Sequence, residues 1–374
     1  MIVAPSAMND FPISRRKFVA QVSSAAALAL APKIGRGLDR PAGRKLGVAL
    51  VGLGYYSTHE LAPALRLTHD CELAGVVTGD REKGVKWSQE YGFPEASVYS
   101  YDTMARMADN PAIDIVYVVT PNGLHAEHCI AAAKAGKHVI CEKPMANTVA
   151  ECDSIIAACH SAGVRLSIGY RLHYDPLHEE LRRLARTKEF GRFMQMKGNF
   201  SFKMDREQWR ARKKLAGGGP LMDLGVYVIQ ESCMAANAMP VAVTARELPK
   251  KRPEFFLDVE ESLEWTMEFP AGERSECYTS YNDTGDNFRA EAKDGWYEVG
   301  PAFGYRNLKA ATSQGPVTAT PPASQQALQM DAFAHCVLSG RPSIVPAEMG
   351  RRDVVIIEAI YAAAASGKRV EIKI

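Results

Sequence analysis

Asp223 and Tyr227 stand four residues apart, just after the run Gly217-Gly218-Gly219-Pro220. Proline suits a first helical turn, and residues at i and i+4 share a helix face. The spacing predicts a helix over 221–236 that presents a carboxylate and a phenol side by side. Such a pair can hold and deprotonate a hydroxyl group. A phenol with an ordinary pKa of about 10 needs help to do this near neutrality. Lys143, in Glu142-Lys143-Pro144, is the candidate helper, because an ammonium beside a phenol stabilises the phenolate. The glycine run lets backbone pass close to a ligand. The same spacing also fits a plainer reading, an acidic residue facing the helix dipole and a core tyrosine.

A second constellation is Gly52-Leu53-Gly54-Tyr55-Tyr56-Ser57. It follows the apolar run 46–51 and precedes a stretch with Leu61, Ala64 and Leu65 on one helix face. Strand, glycine turn and helix form the context of a dinucleotide-binding motif. Gly52 permits the tight turn, Gly54 lets the backbone approach a pyrophosphate, and the helix start offers free N–H groups. Ser57 stands in place of a third glycine. The next strand, 72–77, runs into Thr78-Gly79-Asp80-Arg81-Glu82-Lys83. An NAD site places an acidic residue at this strand end. Here Thr78 holds that place with Arg81 and Lys83 beyond it, which suits the 2′-phosphate of NADP. Asp80 would favour NAD if it were the acidic residue displaced by two positions.

The elements that must position these residues follow an alternating pattern. Strands are predicted over 114–119, 138–141 and 164–168, and helices over 125–135 and 149–162. Repeated βα units imply a parallel, doubly wound sheet with its ligand at the carboxyl ends of the strands. Thr120-Pro121-Asn122 and Glu142-Lys143-Pro144 sit at such ends. From Gly191 the texture changes. Segments 192–202, 241–247, 263–269 and 275–281 alternate as strands of an open antiparallel or mixed sheet with one covered face. Residues 315–322 read as a long loop, and helices near 325–338 and 352–365 close the chain. The expected fold class is α/β: a Rossmann doubly wound sheet over 45–168, then an α+β domain with an open, mostly antiparallel sheet over 169–374. The last helices are free to pack back on the first domain.

The 374 residues carry 45 Lys and Arg against 43 Asp and Glu, a net charge of +2. A hydrophobic share of 47% excludes a mostly disordered chain, and the charge balance gives no support for a nucleic-acid partner. The eight cysteines show no CxxC pattern, and no metal site is expected. His125 and His128 lack partnering ligands, and Cys141 reads as packing in a core strand. The cation-rich stretch from Arg206 to Lys214 reads as a cofactor-phosphate or solvated segment. No apolar run is long enough to span a membrane. Ser14-Arg15-Arg16-Lys17-Phe18, then an uncharged alanine-rich run to Ala31, resembles a twin-arginine (Tat) export signal rather than a stray basic helix. Residues 1–31 are therefore read as leader and 32–44 as a short arm, and the expected location is the bacterial periplasm.

Taken together, the glycine turn, Glu142-Lys143-Pro144, and the glycine run with Asp223 and Tyr227 resemble the Gfo/Idh/MocA oxidoreductases. Further stretches extend the likeness to the periplasmic glucose–fructose and aldose–aldose oxidoreductases of that family: Leu124-His125-Ala126-Glu127, Gly169-Tyr170-Arg171 with His173-Tyr174-Asp175-Pro176, and Trp209-Arg210. The resemblance implies Lys143 and Tyr227 as the catalytic pair on the sugar C1 oxygen. Asp223 would position the sugar, with Tyr174 also in the sugar site. It implies that Gly52, Leu53, Gly54, Tyr55, Tyr56 and Ser57 hold the pyrophosphate, and that Thr78, Gly79 and Lys83 meet the 2′-phosphate. Thr120, Pro121, Asn122, His125, Glu142, Lys143, Arg171, Trp209, Arg210 and Tyr305 would line the rest of the cofactor site.

The implied activity oxidises one aldose at C1 to its lactone and reduces a second sugar to an alditol, with tightly bound NADP(H), in a ping-pong cycle. The location agrees with this, because the periplasm offers no dependable nicotinamide pool. The alternatives are an exported dehydrogenase with exchangeable NAD(P) and a non-catalytic sugar or nucleotide sensor. The short arm argues against arm exchange between subunits, so a homodimer through the open sheet is expected.

Overall fold

The computed structural model describes residues 44–373. The leader expected over 1–31 and the arm expected over 32–44, apart from its last residue, lie outside the described residues.

The first sheet begins with β1 (Leu46–Val51), whose six residues are all buried, as a central parallel strand must be. It continues with β2 (Cys71–Val77), β3 (Val98–Tyr99), β4 (Ile115–Val118), β5 (His138–Cys141) and β6 (Leu166–Ile168). The strand order is β3-β2-β1-β4-β5-β6, with every pair parallel. The winding reverses between β1 and β4. The carboxyl ends of β1, β4 and β5 therefore deliver Gly52, Thr120 and Glu142 to one rim, where a doubly wound sheet binds ligands.

The crossovers start and stop where their sequences dictate. A π turn (Ser57–Leu61) leads into the short α1 (Ala62–Leu65). The Asp80 side chain caps α2 (Arg81–Tyr91) by accepting from Lys83 N, and Gly92 ends it in the left-handed region. Then come α3 (His125–Lys134) and α4 (Val149–Ala162), the latter with a Thr148/Glu151 capping box. Next is α5 (Pro176–Thr187), capped by Asp175 and burying Leu177, Leu181 and Leu184 at helical spacing.

The second sheet comprises β7 (Gln195–Ser201), β8 (Ala242–Glu247), β9 (Ser262–Glu268), β10 (Arg274–Ser280), β11 (Gly285–Glu291), β12 (Trp296–Val299), β13 (Ala310–Thr312), β14 (Gly315–Pro316) and β15 (Val370–Glu371). Its order is β14-β13-β12-β11-β7-β10-β9-β8-β15. The pairing is antiparallel except between β10 and β7. The sheet is thus mixed and mostly antiparallel. The predicted loop at 315–322 is cut short, because Gly315–Pro316 pairs with β13.

Between β7 and β8 lie the one-turn α6 (Lys213–Ala216), a π turn (Leu221–Gly225) and α7 (Val226–Ala236). Apart from Ala236, α7 is buried, and Gly198 of β7 leaves room for Val228 against the covered face. The opposite face is polar, with ion pairs such as Lys197–Glu276 and Arg246–Glu264.

The last helices are α8 (Gln325–Ser339) and α9 (Ala347–Ser366). Ala327, Met330, Phe333 and Ala334 of α8 share a core with Leu46, Leu50 and Cys71 of the first sheet and with Leu61 of the π turn. Helix α9 packs on α4, α7 and β8. One apolar cluster runs from the first sheet through α9 and α7 to the second sheet, and α8 closes a separate cluster against the first sheet.

Candidate active site

The glycine turn is built for close approach. Gly52 has φ +94°, and a Cβ there would sit 3.0 Å from Thr120 Cγ2, so only glycine fits. A Cβ on Gly54 would meet nothing within 4 Å, leaving an open cradle over the turn. Fully buried Ser57 donates its hydroxyl to Gly52 O at 2.5 Å. The residue in the third-glycine place therefore ties the turn rather than merely fitting beneath it. Lys83 Nζ reaches back to Leu53 O at 2.5 Å, which sets a cation beside the turn. The Leu53 side chain itself is core, so only its backbone faces a ligand. Tyr55 points outward, 72% exposed, against His59. Tyr56 meets the ring of Tyr305 at 5.8 Å.

At the end of β2, Thr78 is buried and its hydroxyl accepts from Asp80 N at 3.1 Å, while Gly79 is exposed. The Asp80 carboxylate is engaged in capping α2. Arg81 is turned to Glu95 at 2.7 Å and does not join Lys83 at the turn.

At the ends of β4 and β5, Thr120 bonds His128 at 3.0 Å, and Asn122 donates to Ala216 O at 2.9 Å. Pro121 lies between them. Two residues expected to line a cofactor also brace the strand-end turns. Fully buried His125 sets one ring nitrogen against Thr120 O (2.8 Å) and the other against Pro144 O (3.0 Å), joining the two strand-end turns. Glu142 is buried and accepts from Tyr117 Oη at 2.6 Å and from Lys143 N at 3.1 Å. Burial pushes its carboxyl up, against the pull of Tyr117 and Lys143. Cys141 is likewise interior, and burial raises its thiol.

Lys143 Nζ is the hub of the site. It donates to Asp223 O at 2.8 Å, lies 3.4 Å from Asp223 Oδ1 and sits 4.7 Å from the centroid of the Tyr227 ring. Asp223 Oδ2 accepts from Arg210 Nε at 2.8 Å and from Tyr281 Oη at 3.1 Å. Burial alone would raise the Asp223 carboxyl, but Arg210 and Lys143 overcome it and hold the group down at about 2. Asp223 therefore stays ionised. Arg210 also stacks on Trp209 at 4.7 Å.

Tyr227, 9% exposed, has a second cation over its ring, the Arg171 guanidinium at 5.2 Å. Arg171 is 2% exposed and donates to Phe303 O, to Gly304 O (2.9 Å) and to Gln325 Oε1, while its Nε has no partner among the described residues. None of these partners is a carboxylate. A buried cation held only by neutral oxygens is costly, which suits a place that receives an anionic or electron-rich ligand.

The sequence reading assigned the glycine run to ligand approach, and the structure gives another reason. Buried Glu260 accepts from Gly219 N (2.9 Å), Leu221 N (3.0 Å) and Tyr361 Oη (3.0 Å). A Cβ on Gly218 would strike Tyr361 Oη, and one on Gly219 would strike Glu260 O. The glycines let the chain close on Glu260 and Tyr361, which fix the turn that presents Asp223. Glu260, Tyr281 and Tyr361 were not found from sequence, because no local pattern marks them. Tyr174, expected in the sugar site, is not brought to this cluster; its neighbours are Ser343, Cys336 and Arg182.

The residues present fit a nicotinamide dinucleotide. The open cradle at Gly54, Lys83 beside the turn, and the orphaned Nε of Arg171 lie along the rim that ends at Lys143 and Tyr227. Comparison with known proteins agrees. The profile of the GFO/IDH/MocA oxidoreductase family, NAD-binding Rossmann fold, matches residues 46–170, and that of the GFO/IDH/MocA C-terminal domain matches residues 178–299. The chain is similar to the crystal structure of aldose–aldose oxidoreductase from Caulobacter crescentus complexed with glycerol. That match has 40% identity and a TM-score of 0.85, over 88% of this chain and 100% of that one. It is 29% identical to a D-xylose 1-dehydrogenase [NADP(+)] of Haloarcula marismortui, over 84% of this chain and 90% of that protein. Levoglucosan dehydrogenase in complex with NADH and levoglucosan shares the fold, with a TM-score of 0.76 at 21% identity over 88% of this chain and 100% of that one. With both domain profiles matched in order over a two-sheet fold, the chain belongs to the GFO/IDH/MocA family of oxidoreductases.

Proposed function

We propose that this protein is a sugar oxidoreductase that keeps NADP(H) tightly bound, oxidises an aldose at C1 to its lactone and reduces a second sugar to an alditol in the same site. The observation that carries the proposal is the meeting of Lys143, Asp223 and Tyr227 at the strand ends beside the glycine turn. The likeness to an aldose–aldose oxidoreductase supports the substrate class.

Gly52, Gly54, Ser57 and Lys83 would hold the dinucleotide, with Arg171, Trp209, Arg210 and Tyr305 along its course. When bound, the nicotinamide supplies the acceptor and donor of hydride. The chain supplies the rest. Lys143 polarises the sugar C1 oxygen. Tyr227 takes the hydroxyl proton during oxidation and returns a proton during reduction, with the Lys143 ammonium and the Arg171 guanidinium against its ring. Asp223, ionised and fixed by Arg210 and Tyr281, orients Lys143 and accepts a sugar hydroxyl bond. Lactone formation releases one hydride and one proton, and alditol formation consumes the same pair, so the cycle needs no outside oxidant.

NADP is favoured over NAD because Lys83 stands at the turn while the Asp80 carboxylate is occupied as a helix cap. Export by the Tat route to the periplasm belongs to the same proposal, since a folded, preloaded enzyme suits a compartment without a nicotinamide pool. So does a homodimer through the polar open face of the second sheet.

The test is to purify the mature protein without added nucleotide, denature it and assay the supernatant. Near-stoichiometric NADP is expected. An empty protein would replace this reading with an exported dehydrogenase using exchangeable NAD(P), as the likeness to a xylose dehydrogenase allows.

A further inference from the structure

The segment from Ala302 to Arg306, between β12 and β13, is held unusually firmly at one end. Asp286 Oδ1 accepts from both Ala302 N and Phe303 N at 2.7 Å. Ala302 O faces His178 Nε2 at 2.9 Å, and the other nitrogen of that ring lies 2.7 Å from Glu231, both side chains being fully buried. Phe303 O and Gly304 O accept from Arg171. Three consecutive residues thus have their backbone groups bound by side chains from β11, from α5 and from the turn after β6.

The next two residues leave this base and cross to the dinucleotide half. Tyr305, 37% exposed, lies 4.5 Å from the Arg171 guanidinium and 5.8 Å from Tyr56. Arg306 pairs with the buried Glu60 carboxylate at 3.2 Å. Tyr56 and Glu60 both belong to the helical stretch that follows the glycine turn. A rigid base therefore carries an exposed tip, and one ring contact, to Tyr56, and one ion pair, to Glu60, fasten the tip to the dinucleotide half. Contacts of these kinds are individually weak.

We propose that 302–306 is a retention strap over the dinucleotide site, in which Tyr305 and Arg306 are positioning residues that set how fast bound nucleotide leaves. The proposal rests on dinucleotide binding at the glycine turn. It assigns retention to this strap and not to an arm from another subunit.

The experiment measures NADPH dissociation by nucleotide fluorescence during a chase with excess NADP+. The panel is wild type, Tyr305→Ala, Arg306→Ala, Glu60→Gln, the Arg306→Ala/Glu60→Gln double variant, Asp286→Ala and Asp286→Asn. Arg306→Ala is expected to speed dissociation up to about fivefold and Tyr305→Ala about tenfold. The double variant should match the worse single variant, because the two residues form one latch. Asp286→Ala should resemble Tyr305→Ala, and Asp286→Asn, which keeps an acceptor oxygen, should stay near wild type. Unchanged dissociation in both tip variants, or additive effects in the double, would overturn the strap. A wild type that binds NADPH but loses it on purification would end the tight-binding reading while leaving these ratios readable. No NADPH binding at all would overturn both.

Discussion

Asp223 holds opposite charges together at the residue scale. Its carboxyl, kept down at about 2 by Arg210 and Lys143 against the cost of burial, lies below its ordinary value of 3.8. A depressed carboxyl contributes stability that is present above its unfolded pKa and lost as pH falls through the folded one. Asp223→Asn should therefore cost about 2 kcal/mol at pH 7. The gap should close as pH drops from about 4 toward 2, which denaturant melts at several pH values would show. A gap independent of pH would mean that the charge is not what the site uses. Gly54 makes a separate prediction. Its φ lies outside the left-handed region and a Cβ there meets open space, so Gly54→Ala should keep its thermal midpoint. Its affinity for NADPH should fall about tenfold or more, read by fluorescence titration, as the methyl enters the space meant for the pyrophosphate.

Lys143, Asp223, Tyr227 and the glycine turn were legible in the sequence because each sits in a short motif, although the spacing of Asp223 and Tyr227 alone also fitted a plain helix start and it was the combination of motifs that singled them out. Tyr281 and Glu260 were not. Their bonds to Asp223 and to the glycine run span 58 and about 40 residues, and no local periodicity encodes a partner at that distance. His125 and Glu142 were legible as residues of the strand-end turns, but their bonds to Thr120, Pro144 and Tyr117 were not, since a motif gives proximity and not the partner of each polar atom.

At the scale of elements, period was the strong signal. The strands at β1, β2, β5 and β10 and the helices α4 and α8 lie within a residue or two of where hydrophobic spacing put them. Strand β11 was missed because charged residues such as Asp286 and Arg289 mask its alternation, and β12 and β13 because they are short. Helix α5 had a readable stripe at Leu177, Leu181 and Leu184 and was overlooked beside the motif that precedes it. The π turn before α7 has no sequence signature, yet it sets the entry of Asp223. Asp80 is the element-scale test of cofactor choice. As a cap on α2, its replacement by Ala should cost about 1 kcal/mol of stability and leave the preference for NADP over NAD unchanged. A ribose-binding Asp80 would instead lose NAD affinity selectively.

At the scale of the molecule, the two sheets divide the labour. The parallel sheet brings three strand ends to one rim, and the mixed sheet with α7 brings Asp223 and Tyr227 to meet it. Helix α8 returns from the end of the chain to the first sheet, and its Gln325 and Gln329 bond Arg171 and Tyr117 behind the site. Arg171 carries this network on to Phe303 O and Gly304 O, between β12 and β13 of the second sheet.

The most direct measurement of the central claim is a two-sugar reaction with no nucleotide added. Purified protein is incubated with pairs of aldoses, and lactone or aldonic acid and alditol are quantified together. The account predicts equal amounts of both products over many turnovers, and none from Tyr227→Phe. Product that forms only when NADP+ is supplied, as lactone with free NADPH and no alditol, would contradict it.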